Sequence, residues 1–455
     1  VNSTGTGNIG VYAKNVAASA VLTSIGVTTE VTNKGTIDLG NTSVGIYADA
    51  GAGVLNDLGS FITVADNSQG IYAKNSGQIT NNGAINIGEG SIGVFLNNAT
   101  LTSAVNGLNG IIKSTSDNAV GIYSYQQNSE VINNGTIDLS GQSSIGIYDK
   151  GSASRIITNN GSIIIGDSSD PQTPSIGIYS EDTGITINHT SVATLTSGIN
   201  SVGIYGKNST LNIDGTVNTG NSGTGIYADS SSKVVIGASA KFNIGSTEAT
   251  AVYASGNSTV DNYTTDIVYP GDSYAFILNG GSTLNNYANG IVLNNDNVLA
   301  YADNSNINNY GNINVTGKNT IALYGVNNSQ IKNTAIIDAG AIQGSNVAIY
   351  AKDSNVINTG SIIMGDTVIN DPYNPFSNEY AVAIYGERSN VLNDTGSYVS
   401  VGENSVGLYV LEGNAQNKGT ITSTKNGVIG MFVAKGTGQN DGTIELYGND
   451  SVGLA

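Results

Sequence analysis

Short runs of alternating apolar and polar residues recur along the whole chain. In the run G-T-I-D-L at 35–39, the isoleucine and leucine would share one face of a strand, and the threonine and aspartate the other. A period of two residues is typical of a half-buried β-strand. No window sustains the period of about 3.6 residues that marks a helix, so we expect an all-β chain with almost no helix.

One signature, V-G-I-Y at 44–47, marks a repeat that covers the chain. The alternation predicts that Val44 and Ile46 face inward, and that Gly45 and Tyr47 face outward. Copies of the signature lie mostly 22–26 residues apart. The 18 copies end at Tyr12, Tyr47, Tyr72, Phe95, Tyr123, Tyr148, Tyr179, Tyr205, Tyr227, Tyr253, Ile277, Tyr301, Tyr324, Tyr350, Tyr385, Tyr409, Phe432 and Ala455.

Two weaker modules lie between the signature copies: S-E-V-I-N-N at 129–134 and a further G-T-I-D-L at 135–139. Each repeat therefore holds three short strands and three corners, and Asn-Gly pairs are expected to supply left-handed backbone at corners. Equivalent strands would stack in parallel about 4.8 Å apart. The sequence predicts one continuous parallel β-helix over residues 1–455, with about 18 coils of roughly 22–26 residues.

The position two residues after the signature tyrosine carries charges whose sign changes between neighbouring coils. Opposite charges across neighbouring strands are favourable, and like charges are not. We therefore interpret this row as fixing the register between coils. Its members include Lys14, Asp49, Lys74, Lys150, Glu181, Lys207, Asp229, Lys352 and Glu387.

Composition narrows the possible chemistry. The chain has no Cys, one His, 16 Lys and Arg, and a formal net charge of −18. Thiolate and His-rich metal sites are thereby excluded, and we expect no metal and no cofactor. The shortage of basic residues argues against nucleic acid, and no run of about 18 apolar residues exists to insert into a membrane. We expect the single histidine, His189, at a surface or a corner.

Insertions into the repeat are candidates for function, because loops on a rigid scaffold commonly carry it. We place them near 16–30, 166–175 and 366–380. All five prolines fall between the second and third strands of a coil, so their loops should leave one corner of the β-helix. The candidate binding residues are Asp170, Pro171, Pro174, Tyr269, Pro270, Asp371, Pro372, Tyr373, Pro375 and Phe376.

The outward tyrosines are a second candidate site. Each ring would lie over the next, and one aromatic pair contributes about 0.5–1.5 kcal/mol. The row would stiffen the β-helix or, alternatively, present an exposed aromatic strip to a sugar or a partner protein. The candidate members of that strip are Tyr148, Tyr179, Tyr205, Tyr227 and Tyr253.

Catalysis finds little support in the sequence. Glycosidases place two carboxylates about 5–9.5 Å apart. Asp38 has no carboxylate at the equivalent places of neighbouring coils, and Asp167 and Asp170 merely share a loop. None of the N-T-D, D-D, G-H-G and R-I-K motifs of polygalacturonases occurs in the chain. We therefore expect that the chain is not an enzyme, and we name no catalytic residue.

The repeated G-I-Y-A at 45–48, 70–73 and 225–228, with N-K-G-T-I-D-L-G at 33–40 and N-N-G-T-I-D-L at 133–139, resembles the passenger region of large fusobacterial-type autotransporter adhesins of type V secretion. The resemblance implies a right-handed parallel β-helix and display on the outer face of the outer membrane. It also implies export with the help of a C-terminal β-barrel in the remainder of the chain. No binding residue is carried over, because none follows a motif found here.

Both ends fall inside a repeat, so we expect a fragment of a longer passenger. We interpret the chain as an adhesin segment that adheres to host cells or other bacteria through a surface protein or glycan. Two alternatives stay open. One is a passive stalk that presents a distal binding domain, and the other is a β-helical polysaccharide-degrading enzyme.

Overall fold

The predicted fold class is confirmed by a computed structural model. Its parallel strands stack as a β-helix with three sheets and about 16 turns, close to the predicted 18 coils. Every regular element in the described residues is a β-strand. These residues are 1–14, 30–75, 77–97, 103–125, 130–151, 155–181, 184–370 and 379–455.

The chain divides into two compact units. The first consists of Val1–Val234 and Ser239–Asn243, and the second of Val235–Ala238 and Ile244–Ala455. The strand Lys233–Ile236 contains the boundary between them. The predicted continuity of a single β-helix over residues 1–455 stays a prediction.

Each turn of the first unit contributes strands to three sheets. The amide sheet, whose strands end mostly in asparagine, contains Glu30–Asn33, Gly53–Asn56, Ile79–Asn81, Ala104–Asn106, Glu130–Asn133, Arg155–Asn159, Ile185–His189 and Thr210–Ile213. The middle sheet contains Asn2–Ser3, Thr36–Leu39, Phe61–Val64, Ala84–Ile87, Ile111–Ser114, Thr136–Leu139, Ser162–Ile165, Thr194–Ser197, Thr216–Thr219 and Lys241–Asn243. The tyrosine sheet, built from the signature, contains Ile9–Lys14, Val44–Asp49, Gln69–Lys74, Ile92–Asn97, Val120–Tyr125, Ile145–Lys150, Ile176–Ser180, Val202–Lys207 and Thr224–Asp229.

The second unit repeats this arrangement. Its amide sheet contains Thr259–Asn262, Thr283–Asn286, Asn306–Asn309, Gln330–Asn333, Asn355–Asn358, Asn390–Asn393, Asn414–Asn417 and Thr437–Asn440. Its middle strands are Ile267–Val268, Ile291–Leu293, Ile313–Val315, Ile336–Ala339, Ser361–Met364, Tyr398–Ser400, Thr420–Ser423 and Thr443–Leu446. Its tyrosine sheet contains Thr250–Ala254, Tyr274–Asn279, Val298–Asp303, Thr320–Val326, Asn346–Lys352, Ala381–Glu387, Val406–Leu411, Ile429–Ala434 and Val452–Leu454.

The signature strand departs from strict alternation at its glycine. The predicted outward Tyr47 is confirmed, since its ring is half-buried while Ile46 is fully buried. The predicted positions of Val44 and Gly45 are wrong, because Gly45 is buried and Val44 is partly exposed. A Cβ on Gly45 would lie 2.4 Å from the carbonyl oxygen of Gly70 in the next turn, so the core admits no larger side chain there without a shift. This strand therefore presents the aliphatic Val44 and the aromatic Tyr47 on its outer face, beside the charged Asp49.

A row of buried asparagines follows the amide sheet in each unit. Each side-chain Nδ2 donates to the Oδ1 of the next turn over 2.7–2.9 Å. An orphaned buried polar group costs about 1–3 kcal/mol, so the row strongly favours one register of turn upon turn. Its members are Asn33, Asn56, Asn81, Asn106, Asn133 and Asn159 in the first unit, and Asn262, Asn286, Asn309, Asn333, Asn358, Asn393, Asn417 and Asn440 in the second. At the ends of the row Asn33 is half-buried and Asn440 is exposed, and Asn159 and Asn440 donate to other acceptors.

Asn-Gly pairs supply left-handed backbone at some corners, as at Gly290 with φ 107° and Gly427 with φ 65°, but at the corner of Gly135 the glycine is required by close packing. Gly135 does not have a positive φ, but a Cβ there would lie 2.2 Å from the carbonyl oxygen of Gly110. Left-handed residues stand at other corners, for example Asn67 with φ 54° and Asn118 with φ 58° before the tyrosine sheet. The expectation that Asn-Gly pairs supply left-handed backbone is therefore wrong at this corner.

The charged row beside the tyrosines pairs opposite signs between turns, as predicted. Lys150 Nζ lies 3.1 Å from Glu181 Oε2, and Lys352 Nζ lies 3.3 Å from Glu387 Oε1. All four side chains are partly exposed, so each pair stabilises the fold by only about 0–1 kcal/mol. The row supports register, but the buried asparagines contribute more to it.

Of the two places predicted for His189, the surface is wrong, although the residue does end the strand Ile185–His189 before a corner. The side chain is fully buried and continues the asparagine row of the first unit. Asn159 Nδ2 donates to His189 Nδ1 at 3.1 Å, and His189 Nε2 donates to the carbonyl oxygen of Thr216 at 3.0 Å. Because that carbonyl can only accept, these two bonds fit the neutral imidazole with its proton on Nε2. Burial lowers the pKa of His189, against opposing contributions from Thr216 and Asp214.

We expect Asn133→Ala to lower the free energy of unfolding by about 1–3 kcal/mol, because the Oδ1 of Asn159 loses its buried donor. Asn188→Ala is the matched control. Asn188 is half-exposed on the same sheet and accepts one bond from Asn212, which water can replace. Urea unfolding followed by circular dichroism measures both variants. Equal losses in the two variants would contradict a special role of the buried row.

We expect the stability of the wild-type chain to fall relative to His189→Asn as the pH drops below about 6.5, the ordinary histidine pKa. The folded-state pKa is depressed, so the unfolded chain takes up the proton first and unfolding is favoured. The difference should be constant above about pH 7.5 and should level off below the folded-state pKa. Urea midpoints between pH 8 and pH 5 measure it, and parallel pH profiles for the two proteins would refute the assignment.

Candidate functional site

A groove in the first unit brings together the two kinds of candidate binding residue. It has a volume of about 510 Å³ and lies where the proline loop meets the tyrosine sheet. The loop supplies one wall and three successive signature strands supply the floor. The lining residues are Pro171, Gln172, Pro174, Ile176, Tyr179, Asn200, Ser201, Val202, Tyr205, Ser222, Thr224 and Tyr227.

The loop that forms the wall is held by its own hydrogen bonds. Thr173 N donates to the carbonyl oxygen of Asp170 at 3.1 Å, which closes a turn with Pro171 at its second position, where proline is favoured. Gln172 N donates to Asp170 Oδ1 at 2.8 Å. Ser168 Oγ donates to the carbonyl oxygens of Asp170 and Thr173. Asp170 thus shapes the loop, and the prolines present a fixed apolar edge to the groove.

The floor carries an aliphatic row and an aromatic row side by side. Ile176 and Val202 are partly exposed because the buried glycines that follow them break the alternation. The ring centroids of Tyr179 and Tyr205 lie 5.0 Å apart at an interplanar angle of 63°, and those of Tyr205 and Tyr227 lie 5.1 Å apart at 12°. Stacked rings cover one another's faces, so the floor offers mainly ring edges and phenol groups. The tilt between Tyr179 and Tyr205 uncovers part of a ring face.

Two phenols of the tyrosine row, those of Tyr148 and Tyr205, stay protonated to a higher pH than an ordinary tyrosine because their pKa is raised. Burial, followed by the charge of Asp229, raises the pKa of Tyr205 well above its ordinary value. Burial and a 2.6 Å hydrogen bond to Glu181 likewise raise the pKa of Tyr148. That same bond, together with Lys150, holds the pKa of Glu181 below its usual range. Phenol groups that remain neutral can donate as well as accept hydrogen bonds.

The other candidate residues of the sequence analysis do not join this groove. Tyr269 is only 3% exposed, so its expected place in a protruding loop is wrong, although Pro270 beside it is exposed. The tyrosine packs inward because its ring fills the core at the end of a strand of only two residues. Tyr253 is half-buried in the tyrosine sheet of the second unit. The candidates Asp371, Pro372, Tyr373, Pro375 and Phe376, and most of the 16–30 insertion, lie outside the described residues.

A second, more apolar hollow lies on the tyrosine sheet of the second unit and was missed by the sequence analysis. Its volume is about 460 Å³. The flanking Tyr380 belongs to the 366–380 insertion, whose base is closed by two backbone hydrogen bonds between Val368 and Glu379. The signal for this hollow was the apolar residue before each buried glycine or alanine. Its lining residues are Tyr380, Val382, Tyr385, Val406, Tyr409, Ile429 and Phe432.

A short second tyrosine stack was also missed. Tyr263, Tyr287 and Tyr310 stack at 5.0 and 5.1 Å on a corner of the second unit, and each is 42–45% exposed. They follow the buried row residues Asn262, Asn286 and Asn309, so the sequence signal was a tyrosine directly after each of these asparagines.

Two of the acids considered for catalysis, Asp167 and Asp170, accept hydrogen bonds from backbone nitrogens. Asp167 Oδ1 accepts from the backbone nitrogen of Ile199 at 2.8 Å, and Asp170 Oδ1 accepts within its own loop. Asp38 stands next to Thr63 in the neighbouring turn. Within the described ranges, no three His, Asp or Glu side chains are grouped closely enough to hold a metal ion.

No family model and no curated protein matches the chain. The part of the chain that the structure describes also contains no helix long and apolar enough to cross a membrane. The geometry of the two units is therefore the basis for a functional proposal.

We expect the free energy of unfolding to be independent of phenol ionisation below about pH 10 and to fall above it, because unfolding releases tyrosines whose folded-state pKa is raised. Burial raises the pKa of Tyr350 to about 12, and Tyr205 shifts in the same direction. Urea midpoints at pH 8 and pH 11 measure the loss, and phenolate absorbance reports the ionisation. Tyr205→Phe keeps the ring and should lose less than wild type. Full phenolate absorbance at pH 10 in the folded chain would contradict this prediction.

Proposed function

We propose that the chain is a segment of a surface-displayed adhesin, and that the groove beside Pro171 and Pro174 binds an extended protein or glycan on host cells or other bacteria. The observation that supports this most is the convergence of the proline loop with three turns of the tyrosine sheet in one groove. Neither element alone would form a concave surface.

The chemistry of the groove favours binding. Tyrosine gives a large contact area for little loss of side-chain entropy, and it is enriched in the residues that dominate binding energy. The rings are already immobilised by stacking, and the loop is immobilised by its hydrogen bonds. A rigid surface loses less entropy when a ligand binds.

The shape of the groove favours an extended ligand over a small one. Its floor crosses three signature strands, which carry Tyr179, Tyr205 and Tyr227. At about 4.8 Å per turn, the tyrosine row alone spans roughly 10 Å. Polar side chains of Asn200 and Ser222 lie beside the apolar floor and can orient the ligand by hydrogen bonding.

Display on the cell surface is supported by the repeat itself. The chain lacks cysteine, and its repeat resembles that of autotransporter passengers. A net charge of −18 would speed encounter with basic surfaces at low salt. That the chain is not an enzyme stays a prediction.

Val202→Arg tests the proposal, and Val44→Arg is its matched control. Both valines hold the same partly exposed place in the signature strand, but only Val202 lines the groove. We expect Val202→Arg to reduce binding to host cells or bacteria at least about tenfold, equivalent to about 1.4 kcal/mol, because the long cation fills the floor. Val44→Arg should bind as wild type does. Flow cytometry with labelled protein measures both.

Equal binding by wild type and Val202→Arg would remove the groove from the proposal. Absence of any cell binding by the wild-type chain would favour the passive stalk instead. Release of reducing sugar from a polysaccharide by the purified chain would favour the enzyme.

A further inference from the structure

The outer face of the amide sheet in the second unit forms a second groove, of about 520 Å³, that the proposed function does not use. We call it the amide face. One row of its outward side chains consists of Gln330, Asn355, Asn390, Asn414 and Thr437 in successive turns. The adjacent row consists of Ile357, Leu392, Gln416 and Gln439.

The asparagines of the first row are fixed in place and yet keep free hydrogen-bonding groups. Asn390 Nδ2 donates to Asn355 Oδ1 at 2.9 Å, and Asn414 Nδ2 donates to Asn390 Oδ1 at 2.9 Å. A side-chain amide has two N–H donors and two acceptor lone pairs. Asn390 therefore uses one N–H donor and one acceptor lone pair in bonds to its neighbours. One N–H donor and one lone pair of its side chain remain for a ligand. Asn390 and Asn414 are exposed, so the remaining groups can reach a ligand.

An apolar strip runs beside these amides. Ile357 is 39% exposed, and Leu392 next to it is half-buried. A ligand on the amide face would therefore meet hydrogen-bonding groups on one side and a hydrocarbon surface on the other. Sugar rings have this dual character, because hydroxyl groups project from their edges while C–H groups cover their faces.

The amide face is uncharged although the chain has a net charge of −18. None of its twelve lining residues is charged. The nearest charges lie at its margins. Lys332 precedes Ile357 by one turn, and Asp441 accepts hydrogen bonds from Gln416 and Gln439. At the adjacent corner, Arg388 binds both carboxylate oxygens of Asp353 at 2.7 and 2.8 Å. The charge of the groove is thus matched to a neutral ligand.

The spacing of the rows argues against a peptide. An extended peptide repeats its side chains on one face every 6.6–6.8 Å or so, whereas the turns of the β-helix repeat about every 4.8 Å. Peptides that add to a sheet use the free backbone groups of its edge, and a sheet face has none. A linear polysaccharide repeats its hydroxyl groups once per ring and can meet successive amides.

We propose that the amide face binds a neutral, linear polysaccharide, with the free donors and acceptors of Asn390 and Asn414 bonded to its hydroxyl groups and Ile357 and Leu392 against its rings. This site lies in the second unit and does not depend on the groove beside Pro171.

Affinity electrophoresis in native gels that contain a soluble polysaccharide tests the proposal with the whole chain. The neutral probes are galactomannan and hydroxyethyl cellulose, and the charged probes are hyaluronan, dextran sulfate and chitosan. The test variants are Asn390→Asp and Asn414→Asp, which keep the side-chain size but add charge and remove both N–H donors, the one bonded within the row and the one left for a ligand. Asn314→Asp is the matched control, because Asn314 is an exposed asparagine on the middle sheet of the same unit, outside the groove.

We expect at least one neutral polymer to retard the wild-type chain and Asn314→Asp equally. Each test variant should bind about tenfold more weakly, as expected for the loss of one hydrogen bond worth about 1.4 kcal/mol. Circular dichroism identifies a variant that fails to fold, and the other variant then carries the test.

Four outcomes would overturn the proposal. They are no retardation by either neutral polymer, equal retardation of wild type and both folded test variants, stronger retardation by a charged polymer, and a change in sedimentation of Asn390→Asp. The last outcome would identify a second copy of the chain as the occupant.

Discussion

The buried asparagine row is the constraint on which the rest of each unit depends. Three short strands enclose a core only a few side chains wide, so every corner brings polar backbone groups close to apolar residues. The row satisfies these groups and links each turn to the next, for example from Asn106 to Asn133 and from Asn133 to Asn159. A shift of register by one residue would place a branched aliphatic side chain among the amides and leave several buried groups without partners, each at about 1–3 kcal/mol. The pairing of the strands, the stacking of side chains and the rows of surface residues all follow from this register.

The narrow core also determines what appears on the surface. Close approach of successive turns leaves room for only a glycine or an alanine before the core residue of most signatures, as at Gly45 in the first unit and Ala348 in the second. The larger Leu299 fits at this position because the core residue after it is the small Ala300. That inward residue turns the preceding aliphatic side chain outward, next to the tyrosine. The tyrosine sheet is therefore apolar on its outer face for a reason internal to the core. Surface rows that arise in this way are present in both units, and at the two hollows described on the tyrosine sheet an insertion adds a wall.

The sequence was sufficient to predict the fold, because one periodicity repeated many times averages out the errors of any single strand. The half-exposed tyrosines and the charge pair of Lys150 with Glu181 followed from simple alternation. The errors occurred where a residue's role depends on the turn above or below it. His189 replaces an asparagine in a row that becomes visible only when turns are aligned in register. The buried pair of Arg155 and Asp149 was also missed; these two residues lie on consecutive strands of one turn, 2.9 Å apart, with side chains 1% exposed. Tyr269 looked like part of a proline loop because its neighbours in sequence, and not its neighbours in space, were considered.

Residues that depart from the repeat give each proposed surface its specific chemistry, whereas the repeat itself determines where those residues lie. Identical turns would present identical rows along the whole surface, and a ligand could slide along them without preference. On the tyrosine sheet, the Pro171 loop makes three turns different from the others, because it forms a wall beside them. On the amide sheet the same effect is achieved by substitution, because Lys332 ends the second row at one side and Asp441 borders it at the other. Each of the two proposed surfaces is thus bounded along the stack, and a bounded stretch of a periodic surface can select the length of ligand that it binds.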